Sequence, residues 1–198
     1  MRKFALLIWV SFFALNVSVS ASPTWVEFNG HLYGVTVGSG SWQDAENEAV
    51  SYGGHLVAIN DAAKNAFLVS NILTGAFSEI PLWIGLNDSA VEGTFEWSNG
   101  EPFIYSNWNV GEPNSICCTG PLSDAEDFVA INWHVATGDI DNDAVAGDWN
   151  DAPLGGTTGY GGTSDGPHLG IVEVVPEPTT ALLLTLGLAG LGMRRRGC

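Results

Sequence analysis

Leu82-Trp83-Ile84-Gly85-Leu86 lies near the middle of a chain of 198 residues. Five apolar residues in a row, without polar alternation, mark a strand buried on both faces. Downstream, Thr94-Phe95-Glu96-Trp97 alternates like a half-exposed strand. Beyond Ser98 the character changes. Residues 99–166 are dominated by Gly, Asn, Asp, Pro and Ser, interrupted by Phe128-Val129-Ala130-Ile131 and Trp149. Long irregular segments inside a compact domain are usually functional or disordered, and the acidic side chains here suggest that a metal ion orders them. Leu169-Gly170-Ile171-Val172-Glu173-Val174 is expected to be the last strand.

Upstream, Trp25 to Val37 is rich in aromatic and β-branched residues around Asn29-Gly30, the pattern of a hairpin. Ser41 is a good N-cap, and Trp42, Ala45, Ala49 and Tyr52 fall on one face of a helix ended by Gly53-Gly54. His55 to Ile59 reads as a short strand. Asn60 or Asp61 then caps a second helix running to about Leu73, with Ala66, Phe67, Val69 and Leu73 toward the core.

The two ends do not belong to this domain. At the N-terminus Arg2 and Lys3 precede the apolar run Phe4 to Leu15, and Val19-Ser20-Ala21 offers small residues for cleavage, so residues 1–21 read as a secretory signal peptide rather than a membrane anchor. At the C-terminus Val175-Pro176-Glu177-Pro178, the apolar stretch Thr179 to Met193 and Arg194-Arg195-Arg196 resemble a PEP-CTERM sorting signal. That resemblance implies export, transient inner-membrane association, and cleavage by an exosortase-type protease within a tail at 176–198. The stretch falls short of the ~20 residues of a comfortable span, which favours a processed signal over a lasting anchor.

The segment from Ser22 to Pro178 sets Lys64 against all 22 acidic residues, a formal charge of −21. Such a field repels phosphate, excluding nucleic acid as a partner, and attracts metal cations. Cys198 lies in the tail, leaving the adjacent pair Cys117-Cys118. Neighbouring cysteines cannot staple distant segments; a vicinal disulfide, an interchain link and free thiols all stay open.

Taken in order, Trp42 with Ala45, Gly53-Gly54-His55-Leu56, Trp83-Ile84-Gly85-Leu86, Asn107-Trp108, Glu112-Pro113-Asn114 and Trp149-Asn150-Asp151 resemble a C-type lectin-like domain from Trp25 to Val174. The resemblance implies an α+β fold, with two helices, small antiparallel sheets and a long calcium-ordered loop region, over residues 22–175. It implies that Glu112, Asn114, Glu126, Asn150 and Asp151 hold one Ca2+ ion that also binds sugar, with a cis peptide before Pro113. Calcium takes roughly 6–8 oxygens, and these side chains supply carboxylate and amide oxygens. The Glu-Pro-Asn order is similar to that of members binding mannose, fucose or glucose-type sugars.

A second, structural calcium site is implied at Asp88 and Glu92, completed by Glu126 and Asp127, with Ser115 where some members carry another acid. An insertion between Asn114 and Glu126 makes Asp124 a rival for the Glu126 role. Asp139, Asp141, Asp143 and Asp148 alternate like a calcium loop but lack the glycine an EF-hand needs, so a solvated insertion and a metal site both stay open. Ala49, Phe128, Leu154 and Val172 stand where typical members place two disulfides, which fits a core packed without the bridges.

Trp83, Trp97, Trp108 and Trp149 are read as core aromatics, and His55 and His134 as packing or surface residues. The expected function is an exported calcium-dependent carbohydrate-binding module, with the organism's own exopolysaccharide among its expected ligands and a non-enzymatic surface adhesin lacking sugar specificity as the alternative. A hydrolase using a pair such as Glu126 and Asp127 is disfavoured, because nothing suggests a nucleophile, a base orienter or a deep cleft.

Overall fold

The computed structural model describes residues 22–115, 126–133, 145–156 and 167–176. The signal peptide, Cys117-Cys118, Asp124, His134, Asp139, Asp141, Asp143 and the tail from Glu177 lie outside these residues.

Strands β1 (Val26–Phe28) and β2 (His31–Val35) turn about Asn29 and Gly30, at φ 52° and 82°. Two successive positive φ values are what a tight hairpin turn requires. Helix α1 (Trp42–Ser51) opens on a reciprocal cap, in which the Ser41 hydroxyl accepts from the Asp44 amide and the Asp44 carboxylate accepts from the Ser41 amide. It ends where the Gly54 N–H reaches back to the Ala49 carbonyl at 3.2 Å.

Strand β3 is only His55–Leu56, shorter than the run to Ile59. The chain nevertheless stays wedged between strands, because the Val57 N–H donates to Ile171 O at 2.8 Å and Val57 O accepts from Gly85 N at 3.0 Å. Helix α2 (Ala62–Asn71) is capped by Asp61. Its core face is Asn65, Leu68 and Ile72 with Leu73, not the row through Ala66, which is exposed. Asn65 takes the inward position because its Oδ1 accepts from the Trp149 indole at 3.1 Å and its Nδ2 donates to Gly147 O at 3.3 Å. A polar residue thereby occupies a row that apolar spacing alone assigns elsewhere. Phe67 stacks on Phe28 at 4.4 Å between ring centroids, and Val69 packs against the same cluster.

Strand β4 (Leu82–Asn87) is buried at all six positions. Strands β5 (Glu96–Trp97), β6 (Phe128–Ile131), β7 (Trp149–Ala152) and β8 (Leu169–Val174) complete one connected sheet, ordered β1-β2-β8-β4-β6-β7 with β3 on β8 and β5 on β4. Every pairing is antiparallel except β4 with β8, whose parallel register (Leu82↔Leu169, Trp83↔Gly170) fuses the small sheets. Gly85 permits the close approach of β3, since a Cβ there would lie 2.6 Å from Leu56 O.

Trp83, Trp97 and Trp149 are core residues, and Trp108 packs 5.8 Å from Trp149. His55 sits 2.6 Å from the Glu46 carboxylate. Ala49 and Val172 are fully buried in one cluster, with Phe128 packed on it. Leu154 is different: 46% exposed, it holds Trp42 N through its carbonyl, while Ala152 fills the buried place opposite Phe128. Among the described residues no helix is long and apolar enough to cross a membrane.

Candidate metal and ligand site

Residues 107–115 form a loop clamped to the start of β7. Trp149 N donates to Asn107 O at 2.9 Å, Asn109 N donates to Trp149 O at 3.0 Å, and Asn107 Nδ2 donates to Gly147 O at 2.8 Å. The chain then turns, with Glu112 N on Asn109 O at 3.1 Å and Gly111 at φ 95°. The Glu112-Pro113 peptide is cis. Beyond it, the Asn114 and Ser115 amides donate to Asp151 Oδ1 and Oδ2 at 3.2 and 2.9 Å. One carboxylate on a rigid strand thus holds the whole Glu-Pro-Asn loop.

Asp151 also hydrogen-bonds the Glu112 carboxyl. Burial, together with that neighbour's hydrogen bond and charge, pushes the Asp151 carboxyl up to about 6, against the opposing pull of the two amides. The raised Asp151 carboxyl holds its proton more firmly than a free one, and a cation bound beside it would take that proton's place.

A second group lies next to the first. Asp88, following β4, is 2% exposed; its Oδ2 accepts from Gly93 N at 2.7 Å, while its buried Oδ1 has no hydrogen-bond partner among the described residues. Burial raises the Asp88 carboxyl, helped by the charges of Glu92 and Asp127, and burial with Glu92 raises Asp127. The Asp88 N–H donates to Asp127 O at 3.0 Å. A cleft of about 110 Å³ is lined by Asp88, Glu92, Phe95, Pro113, Asn114 and Asp151, so the two expected sets share one wall.

The cleft therefore brings Asn114 and Asp151, the latter hydrogen-bonded to Glu112, beside Asp88 and Glu92, while Asp127 acts on Asp88 through its charge. Asn150 is buried on β7, and Glu126 is buried on the approach to β6, at the end of the ladder where Phe128 faces Ala152. Among the described residues no three His, Cys, Asp or Glu side chains converge as a ready-made metal cluster; the expected set counts enough oxygens only with the amides of Asn114 and Asn150. The donors nonetheless suit a hard cation, being oxygens throughout, with an orphaned buried carboxylate oxygen on Asp88 and a raised carboxyl at Asp151. Asp148 serves differently: its carboxylate accepts from Val145 N at 3.1 Å and Asn107 Nδ2 at 3.3 Å, closing the turn before β7.

Sequence reasoning gave Ser115 no task beyond marking a missing acid. Its amide holds Asp151 and its hydroxyl donates to Glu92. Only its adjacency to Glu-Pro-Asn pointed there.

A family model described as the lectin C-type domain matches residues 38–127, and one described as the PEP-CTERM protein-sorting motif matches residues 174–196. The human C-type mannose receptor 2 is 33% identical over 138 residues, covering 70% of this chain. The chain spans only 8% of that protein's length. Lectin BRA-3 of Megabalanus rosa is 31% identical over 144 residues, covering 70% of this chain and 82% of that protein. The carbohydrate-recognition domain of cow CD23, solved in the presence of a GlcNAc2Man3 oligosaccharide, superposes with a TM-score of 0.57 at 24% identity. That match covers 80% of this chain and 98% of the other, and is a likeness of fold.

Proposed function

The chain belongs to the C-type lectin domain family, and on that premise we propose that it is an exported module binding carbohydrate through calcium held by Glu112, Asn114, Glu126, Asn150 and Asp151. Domains of the family generally bind calcium and are typically non-enzymatic, and the sorting motif suggests an exported protein. The observation that carries the reading is the gathering of the Glu112 carboxyl and the Asn114 and Ser115 amides around Asp151.

Calcium, when bound, supplies coordination positions for two neighbouring sugar hydroxyls. The carboxylates of Glu112 and Asp151 accept hydrogen bonds from those hydroxyls, and the amides of Asn114 and Asn150 donate to them. Vicinal hydroxyls of mannose, fucose or glucose type suit this set, and exopolysaccharide is the natural source outside the cell. Asp88, Glu92 and Asp127 form the second, structural set. The domain spans residues 22–175, between a signal peptide and a tail cut by an exosortase-type protease after a stay in the inner membrane.

A glycan array probed in calcium and in chelator tests this, with Asn150→Ala and Glu112→Gln as variants. Binding should vanish in chelator and in both variants while circular dichroism stays unchanged. Undiminished glycan binding by both variants would remove the site from the function. Absence of glycan binding by the parent protein would move the adhesin reading to the front.

A further inference from the structure

We infer that Ser115 is a positioning residue that couples the two acidic clusters, an inference that rests on the calcium reading above. Ser115 N donates to Asp151 Oδ2 at 2.9 Å on one side, and its hydroxyl donates to Glu92 on the other. Glu92 in turn acts through its charge on Asp88 and Asp127. A continuous path therefore runs from Asp151 on β7, through one serine, to the turn that follows β4.

Ser115 is held at φ 53°, a left-handed conformation that costs any residue with a Cβ. The side chain is exposed, so no packing explains the choice. The two bonds do: this backbone presents the amides of Asn114 and Ser115 to the two oxygens of one carboxylate while the hydroxyl faces Glu92. An acid at this position would repel Glu92. The hydroxyl donates instead, tying the turn to the loop without adding to the negative charge. Fixing Glu92 fixes the hydroxyl, and the hydroxyl fixes the amide pair against Asp151, so order at either cluster is felt at the other.

The test measures Ser115→Ala in three backgrounds of the full chain: parent, Glu92→Gln and Glu92→Ala. Glutamine keeps an oxygen that accepts the hydroxyl hydrogen bond; alanine does not. In chelator, Ser115→Ala should lower the melting temperature by about 2–4 °C in the parent and measurably in Glu92→Gln, and by nothing in Glu92→Ala. In calorimetric titration with calcium chloride, without sugar, Ser115→Ala should weaken the tightest site about fivefold in the first two backgrounds and leave it unchanged in the third. Ser115→Gly, which relieves the positive φ, should behave like alanine in the titration. Equal effects in all three backgrounds would overturn the inference. Should the parent take up no calcium, the calcium reading fails, and the melting cycle in chelator alone upholds or overturns the link.

Discussion

Lys64, the one lysine or arginine between the chain's two basic ends, is partly buried with its charge directed at Glu173. Its Nζ lies 2.9 and 3.2 Å from the two Glu173 oxygens and 2.8 Å from Ala58 O. The side chains are 12% and 3% exposed. Glu173 also takes the Tyr33 hydroxyl at 2.8 Å, His31 Nδ1 at 2.7 Å and the Ala58 amide at 3.3 Å. Burial alone would raise this carboxyl; the His31 bond, the Lys64 charge and bond and the Tyr33 bond outweigh it and hold it below its ordinary value of 4.5. Breaking a buried pair from one side costs about 3–5 kcal/mol, and the surviving donors argue for the lower end. Lys64→Met should therefore cost about 3 kcal/mol, or roughly 6–12 °C in melting temperature for a chain of this size. The pH dependence follows from the depressed carboxyl. Its stabilisation is full above the ordinary carboxylate value and is lost as pH falls through the lower native value. The gap between variant and parent should thus be widest near neutrality and narrow in acid, once the pH falls through the depressed native value. Thermal melts by circular dichroism in both pH ranges decide it. A gap under about 2 °C at neutrality, or one equally wide in acid, would refute the reasoning.

Calcium should raise the melting temperature more at pH 7 than at pH 5, because Asp151, raised to about 6, keeps a proton in competition with the ion at the lower pH; equal gains at both pH values in a calcium titration would contradict this. In chelator the same raised group stabilises the protonated form, a contribution lost as pH rises through about 6, so Asp151→Asn should help the chelated protein most near neutrality. Gly54→Ala should destabilise by about 3 kcal/mol, since its Cβ would lie 2.1 Å from Glu173 O, whereas Gly30→Ala, with open space at φ 82°, should cost only about 1 kcal/mol in urea denaturation. Exported protein should lack the residues after the Pro176-Glu177-Pro178 region, and an intact mass still including Cys198 would count against processing.

Elements with local punctuation were legible from the residues alone. Asn29-Gly30, the cap Ser41, the cap at Asn60 or Asp61, and the apolar runs of β4 and β8 each carry their own turn, cap or burial signal, and each element appears where expected, Asp61 being the residue that caps α2. What escaped depends on distant partners. The inward row of α2 shifts because Asn65 finds Trp149 and Gly147 across the fold. The parallel contact of β4 with β8 has no local signature, since β8 carries register with β2, β3 and β4 together. Leu154 was placed by family position, but at the end of β7 its side chain turns outward while Ala152 takes the buried place. At the candidate site, Glu112, Asn114 and Asp151 were legible because their order along the chain is distinctive. The linking role of Ser115 was not, because it lies in a backbone conformation and a hydroxyl direction that composition does not encode.

The distribution of charge explains how so acidic a domain keeps a core without the family's usual bridges. Strand β8 gathers the N-terminal hairpin through β2, the segment after α1 through β3, and the central strand through β4. Val172 on that strand packs in one cluster with Ala49 of α1, two of the four positions where the resemblance implies disulfides. The adjacent Glu173 reaches β2 through His31 and Tyr33 and α2 through Lys64. Non-covalent packing thus holds β8 to α1, and one satisfied ionic network holds it to β2 and α2. The loop side has no such means. Its acids, Asp88, Glu92, Asp127, Glu112 and Asp151, lie too close to one another for all to ionise at no cost, and no lysine or arginine lies between the two basic ends to offset them except Lys64, already committed to Glu173. Protonation relieves that repulsion only below neutrality, and an oxygen-seeking cation relieves it at neutral pH. A divalent ion at the wall the two clusters share, as proposed above, would meet that need of the loops.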